Sequence, residues 1–229
     1  MSELAQRLAA VRAEIADAAR AAGRDESELT TIVVTKFHSA GLVRELHALG
    51  VRNVGENRHQ EALAKASALA DLDDLVWHFI GQLQSNKARQ VRRYSHIVHS
   101  VDRAALVDAL ARREGDPADE VVDVFLQLNL TDDPERGGVA PGALEALAEH
   151  ALATPGLRVR GVMAVAPLGE EPRAAFERVR QASDRLRRIA PDARDISAGM
   201  SGDFRAAILE GATHLRIGTA ITGSRPAAR

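Results

Sequence analysis

Cysteine is absent from all 229 positions. Its absence excludes disulfides, thiolate metal sites and cysteine nucleophiles together. Aromatics are scarce too, at 3% of the chain, with one Trp and one Tyr. Any core must therefore be built from Ala, Val, Leu and Ile. Hydrophobic residues still reach 45%, enough for a globular fold. Neither sign of charge dominates. The formal net charge is -2, and no block of like charges marks a nucleic-acid tail. No apolar run is long enough to span a bilayer, and Met1-Ser2-Glu3-Leu4-Ala5-Gln6-Arg7 lacks the apolar centre of a signal peptide. The expectation is a cytoplasmic monomer with neither nucleic acid nor membrane as partner.

What is present is a strict alternation. Leu4, Leu8, Val11 and Ile15 recur at helical spacing, so 2–22 reads as an amphipathic helix ended near Gly23. A strand ending at Lys36 follows, then a helix stopped by Gly50. Short strands are expected at Asn53-Val54-Gly55, Val76 to Ile80 and His96 to His99, with helices at 57–70 and near 86–92. Asp102 is expected to cap a helix reaching about Arg112. Val121 to Leu130 reads as the longest strand, and Pro141 opens the next helix. Leu157 to Ala164 is strand six. A helix over 172–190 should turn Phe176, Val179, Leu186 and Ile189 inward. Asp195-Ile196-Ser197, a helix at 203–210 and Thr213 to Ile217 complete eight strand-helix units behind one extra helix. Such alternation predicts a closed parallel (β/α)8 barrel, an α/β fold, as a single domain over 1–229; a doubly wound open sheet is the alternative.

In a barrel of this kind, chemistry gathers where the strands end. Thr31-Ile32-Val33-Val34-Thr35-Lys36 runs an apolar strand into a lysine. Desolvation there would lower the amine's pKa and make it a nucleophile toward aldehydes. The ends of strands seven and eight, Gly199-Met200-Ser201-Gly202-Asp203 and Arg216-Ile217-Gly218-Thr219-Ala220, combine glycines with hydroxyls. Ser201 is expected to cap the helix near Asp203, so that these two turns form an anion cup. Closure would set Lys36 beside Arg216, Gly218 and Thr219. An amine beside a phosphate cup suits a phosphorylated aldehyde, either pyridoxal 5'-phosphate (PLP) or a sugar phosphate in a Schiff-base aldolase. Bland roles fit other residues. Trp77 reads as core, Arg89, Arg92 and Arg93 as a solvated helix face, and Tyr94 as a boundary residue at the far end of the barrel. His96 and His99 make a poor metal pair without carboxylates. His78 reads as either core or support for the site, and the loop Asp132 to Gly138 as either a cover or a turn.

Five stretches carry a resemblance. They are Val33 to Lys36, Gly55-Glu56-Asn57-Arg58, Trp77 to Lys87, Gly199 to Asp203 and Arg216 to Ala220. Together and in this order, the sequence resembles the pyridoxal phosphate homeostasis protein family, which is similar to the barrel domain of alanine racemase without its second, β-rich domain. The chain ends at Arg229, and no second domain is expected. The resemblance implies that Lys36 carries PLP as an internal aldimine and that Ser201, Gly218 and Thr219 hold its phosphate. It implies Arg216 at the pyridine nitrogen, and Asn57 and the Met200 segment flanking the ring. An arginine there keeps the nitrogen unprotonated, because two positive charges repel, and a neutral ring is a poorer electron sink. A racemase of this fold also needs a tyrosine from the missing domain. The reading is thus a PLP carrier or buffer serving cofactor supply, with PLP-dependent apoenzymes as partners and no strong catalytic activity. The alternative is an amino-acid racemase or other PLP enzyme.

Overall fold

Eight parallel strands pair in chain order and close on themselves: β1 (Thr30–Val34), β2 (Asn53–Glu56), β3 (Val76–Phe79), β4 (Ile97–Val101), β5 (Val122–Gln127), β6 (Leu157–Met163), β7 (Asp195–Ser197) and β8 (His214–Ile217). The structure is a computed structural model and describes residues 2–117, 120–133 and 135–224. Closure is made by β1 and β8, with Ile32 opposite Arg216 and Val33 opposite Ile217. The helices are α1 (Glu3–Ala21), α2 (Ala40–Ala48), α3 (His59–Ala68), α4 (Ser85–Arg92), α5 (Ala104–Leu110), α6 (Leu144–Ala153), α7 (Pro172–Ile189), α8 (Phe204–Leu209) and α9 (Thr219–Thr222). The (β/α)8 expectation holds, and so does the extra leading helix.

The strands form where β-branched residues run together, because both sheet faces are buried in a parallel barrel. Ile32, Val33, Val54, Val98, Val124, Val162 and Ile217 are all buried. The leading helix closes the outer layer. Leu4, Leu8, Val11 and Ile15 are buried, and α1 lies against α8 and α9. Each such side chain contributes roughly 1.5–3 kcal/mol on burial. Two arginines then tie α1 and its exit to the last units. Arg7 Nε donates to Ile221 O at 2.8 Å, and Arg24 Nη1 donates to Ala212 O at 2.7 Å.

Several local expectations are corrected. Ile189 is exposed, since it sits at the last turn of α7, off the stripe formed by Phe176, Val179, Ser183 and Leu186. Asp102 does not cap α5. Arg103 holds that position without a side-chain cap bond, while the Asp102 carboxylate pairs with Arg103 at 2.6 Å and accepts from Gly138 N at 3.3 Å. Pro141 opens a 3-10 turn, and α6 begins at Leu144. Arg92 is buried, not solvated. It pairs with Glu120 at 3.0 Å and donates to Leu110 O at 2.8 Å and Glu120 O at 2.7 Å. Arg89 is half-buried against Asp116. Trp77 is core. The loop after β5 folds back on Asn129, whose Nδ2 donates to Asp133 O at 2.7 Å and Arg136 O at 2.9 Å; Pro134 lies outside the described residues.

Candidate functional site at the barrel mouth

Lys36 stands two residues beyond β1, in a turn and not in the strand. Its side chain is exposed, so the expected desolvation is not met. The turn itself is strained. Phe37, which follows, has a left-handed φ of 68°, a conformation that costs a non-glycine residue roughly 1–3 kcal/mol. Three contacts hold it there. Phe37 N donates to Glu61 Oε2 at 3.1 Å, His38 N donates to Thr35 O at 3.1 Å, and the Arg58 guanidinium lies 5.0 Å from the Phe37 ring centre. Burial, then the charge of Lys65, pushes His38 below the ordinary imidazole pKa.

Below the turn sits a buried ion pair. Lys65, from α3, reaches Glu56 Oε1 at 2.7 Å and Thr35 O at 2.8 Å. The Thr35 hydroxyl donates to the same Glu56 oxygen at 2.6 Å. Glu56 Oε2 is buried with no partner among the described residues. Burial outweighs Lys65 and Thr35 and raises the Glu56 pKa.

Barrel closure brings the two proposed halves of the site together. With Val33 opposite Ile217, the residues after each leave the rim side by side: Lys36 from β1, and Gly218 and Thr219 from β8. On the other flank Val34 pairs with Gly55, which carries Asn57 to the same rim. Asn57 is half-buried, and its Oδ1 is buried without a partner among the described residues. It also lines a cavity of about 320 Å³ with Arg58, Gln82 and Lys87.

The loop after β7 folds differently from the expectation. Ser201 does not cap α8. Asp203 occupies that position, and its Oδ1 accepts from Met200 N at 2.6 Å. Ser201 Oγ instead accepts from Ala220 N at 3.5 Å, linking the last two loops. Gly199 has φ 91°, and a Cβ there would lie 2.8 Å from Ala207 Cβ, so its glycine serves helix packing. A Cβ on Gly202 would meet nothing within 4 Å. Among the described residues, the backbone N–H groups of Ser201, Gly202, Gly218 and Thr219 make no hydrogen bond. Met200 is 38% exposed beside them.

Arg216 lies beneath this loop, inside the barrel, buried and without an ion pair among the described residues. Its Nη1 donates to Ser197 Oγ at 2.6 Å and its Nη2 to Ala164 O at 2.8 Å. Burial lowers its pKa to about 10. The orphaned Asn57 oxygen, the four unused amides, the exposed Lys36 amine and a buried guanidinium without an ion pair among the described residues all suit an anionic, hydrogen-bonding aldehyde of PLP's kind.

Comparison with known proteins gives the family. The family model described as alanine racemase, N-terminal domain, matches residues 6–226. The pyridoxal phosphate homeostasis protein of Pseudomonas aeruginosa is 45% identical over 231 residues, 98% of this chain and 97% of that protein. The chain belongs to the pyridoxal phosphate homeostasis protein family. A family structure, PipY of Synechococcus elongatus PCC7942 with PLP bound, superposes with a TM-score of 0.84 at 37% identity, covering 96% of this chain and 100% of that one. Alanine racemase from Corynebacterium glutamicum shares the fold alone, with a TM-score of 0.68 at 18% identity over 96% of this chain and 62% of that one.

Two features escaped the sequence. The four-residue α9 is too short for a periodic pattern. Tyr94 follows α4, but its hydroxyl does not stay at the far end: it meets His59 Nδ1 at 3.2 Å, at the start of α3. Burial and the Glu56 charge raise its pKa. No helix among the described residues is long and apolar enough to cross a membrane.

Proposed function

We propose that this chain binds PLP at the barrel mouth and acts as a carrier or buffer in its supply, delivering it to PLP-dependent apoenzymes. One observation carries the reading. The Lys36 amine and four backbone amides that make no hydrogen bond among the described residues lie at one rim, above a buried guanidinium that has no ion pair among them. When bound, PLP supplies an aldehyde carbon open to amines and a ring that accepts electron density.

The roles follow from position. Lys36 anchors the aldehyde. Ser201, Gly218 and Thr219 take the phosphate through the unused amides and two hydroxyls. Asn57 and the Met200 segment would flank the ring. Arg216 would face the ring nitrogen and keep it unprotonated by charge repulsion. That arrangement suits retention over turnover. Supporting it, the Tyr94 hydroxyl is engaged with His59 Nδ1, and burial raises its pKa, which makes it a poor source of a base.

The test is a visible spectrum of the PLP-loaded protein, then borohydride reduction and peptide mass spectrometry. The expected label falls on Lys36 and is lost in Lys36→Ala. Labelling of Lys65 or Lys87, the only other lysines, would overturn the anchor. Sustained racemisation of L-alanine or another amino acid would overturn the carrier reading in favour of an enzyme.

A further inference from the structure

A string of hydrogen bonds runs through the barrel interior from Arg216 to the foot of β2. Arg216 Nη1 donates to Ser197 Oγ at 2.6 Å. Ser197 Oγ lies 2.8 Å from His99 Nδ1, and His99 Nε2 lies 2.9 Å from His78 Nδ1. His78 Nε2 lies 2.9 Å from Asn53 Oδ1. The string uses residues from β8, β7, β4, β3 and β2, and His78, His99, Ser197 and Arg216 are all buried.

The proton positions follow from the two ends. A guanidinium only donates, so Ser197 Oγ accepts from Arg216. The Asn53 oxygen only accepts, so His78 donates to it from Nε2. As a neutral ring, His78 accepts at Nδ1 from His99, whose own Nδ1 is left to accept the Ser197 hydroxyl. His99 then keeps Nδ1 bare and carries its proton on Nε2. That proton goes to His78 Nδ1, and His78 in turn donates from Nε2 to the Asn53 oxygen. With both rings neutral and the Asn53 oxygen as the fixed end, each link leaves only one choice for the next. Both imidazoles are neutral because burial holds each well below its ordinary pKa. The Phe125 ring packs on His99 with centres 4.5 Å apart and keeps that part of the string dry.

We infer that Ser197, His99 and His78 are positioning residues that stabilise Arg216 as a cation without neutralising it. Every dipole in the string turns its negative end toward the guanidinium, and hydrogen bonds in series polarise one another. A carboxylate in the same place would cancel the charge. A neutral string leaves the positive field intact at the remaining N–H groups. This rests on the reading that Arg216 faces the ring nitrogen of PLP, where an intact field keeps that nitrogen unprotonated.

The test uses the PLP-loaded full chain with ¹⁵N-labelled histidine. The expected spectrum has His78 and His99 neutral and protonated on Nε2; a proton on either Nδ1, or a charged ring, overturns the direction of the string. Ser197→Ala frees His99 Nδ1, so a second His99 tautomer is expected. PLP affinity should fall about tenfold, the scale of one hydrogen bond to a charged group. The visible band of bound PLP should also shift. His99→Leu should do the same, and His99→Gln, which keeps an acceptor and a donor, should restore both readouts. Should His99→Leu fail to fold, Ser197→Ala decides alone. Arg216→Glu separates the two ideas. If it leaves band and affinity unchanged, the placement of Arg216 fails. If it changes them while Ser197→Ala matches the wild type, only the string is wrong.

Discussion

Lys65 Nζ donates to the carbonyl oxygen of Thr35 at 2.8 Å, and Thr35 is the residue before Lys36. The same ammonium pairs with Glu56 at 2.7 Å. One side chain from α3 therefore fixes the ends of both β1 and β2 below the proposed anchor. Its partner Glu56 is 1% exposed. Lys65→Met would leave that carboxylate uncompensated, and losing one member of a buried pair costs about 3–5 kcal/mol. A fall in stability of that size should appear in urea unfolding, and adding Glu56→Gln should recover part of it. A Lys65→Met protein as stable as the parent would show that the pair is not a brace.

Acid should weaken the fold before its carboxylates titrate. Burial lowers the pKa of His78, His99 and His214, the last to about 4. The unfolded imidazoles take up protons near 6.5. Below that pH the unfolded state binds more protons, so stability present above 6.5 is lost as pH falls toward the folded values. Each net proton contributes a slope of roughly 1.4 kcal/mol per pH unit. Glu56 works the other way, because its raised pKa favours the folded state as pH drops toward 4.5. Three imidazoles outweigh one carboxylate. Calorimetric Tm should decline steadily from pH 7 to pH 5, and a flat profile would contradict neutral histidines in the barrel.

The barrel was legible because its strands are buried on both faces and read as apolar runs punctuated by helices. Lys36 stood out in the sequence for a related reason, as one charge ending such a run. The interior string was not. β2, β3 and β8 are four residues long, and β7 is three. So few residues do not fix which alternate positions face inward, and His78 stayed ambiguous. Arg92 was missed on other grounds. A basic helix looks solvated, and the carbonyls of Leu110 and Glu120 that receive its donors come from distant parts of the chain. Ser201 was misread because Asp203, two residues on, took the capping place.

Part of the Trp77 to Lys87 stretch has a steric explanation. A Cβ on Gly81 would lie 2.2 Å from Asn57 O and 2.7 Å from Asn57 Cα. Backbone cannot yield as a flexible side chain does. Gly81→Ala should therefore push the Asn57 segment outward, costing about 2 kcal/mol of stability. PLP affinity should fall with it. Gly142→Ala is the control, since a Cβ there would meet nothing within 4 Å. Equal stability and affinity in the two variants would remove the close approach as the reason for glycine at 81.

The proposed phosphate cup predicts a discrimination between PLP and pyridoxal, which lacks the phosphate. Ser201 and Thr219 stand on adjoining loops linked through Ala220 N. Removing a hydroxyl that meets a charged phosphate costs about 1.5–3 kcal/mol. Ser201→Ala and Thr219→Val should each weaken PLP binding about tenfold or more on that scale. Neither should change the weaker affinity for pyridoxal. Lys36→Ala, by contrast, should lower affinity for both, because both carry the aldehyde. Thermal shift gives the same answer independently. Ligand at about 100 times its Kd adds roughly 2.7 kcal/mol to the folded state, so Tm should rise with PLP in the parent and much less in the cup variants. If Ser201→Ala and Thr219→Val lose pyridoxal and PLP in equal proportion, the two residues touch the ring or the aldehyde, and the phosphate lies elsewhere.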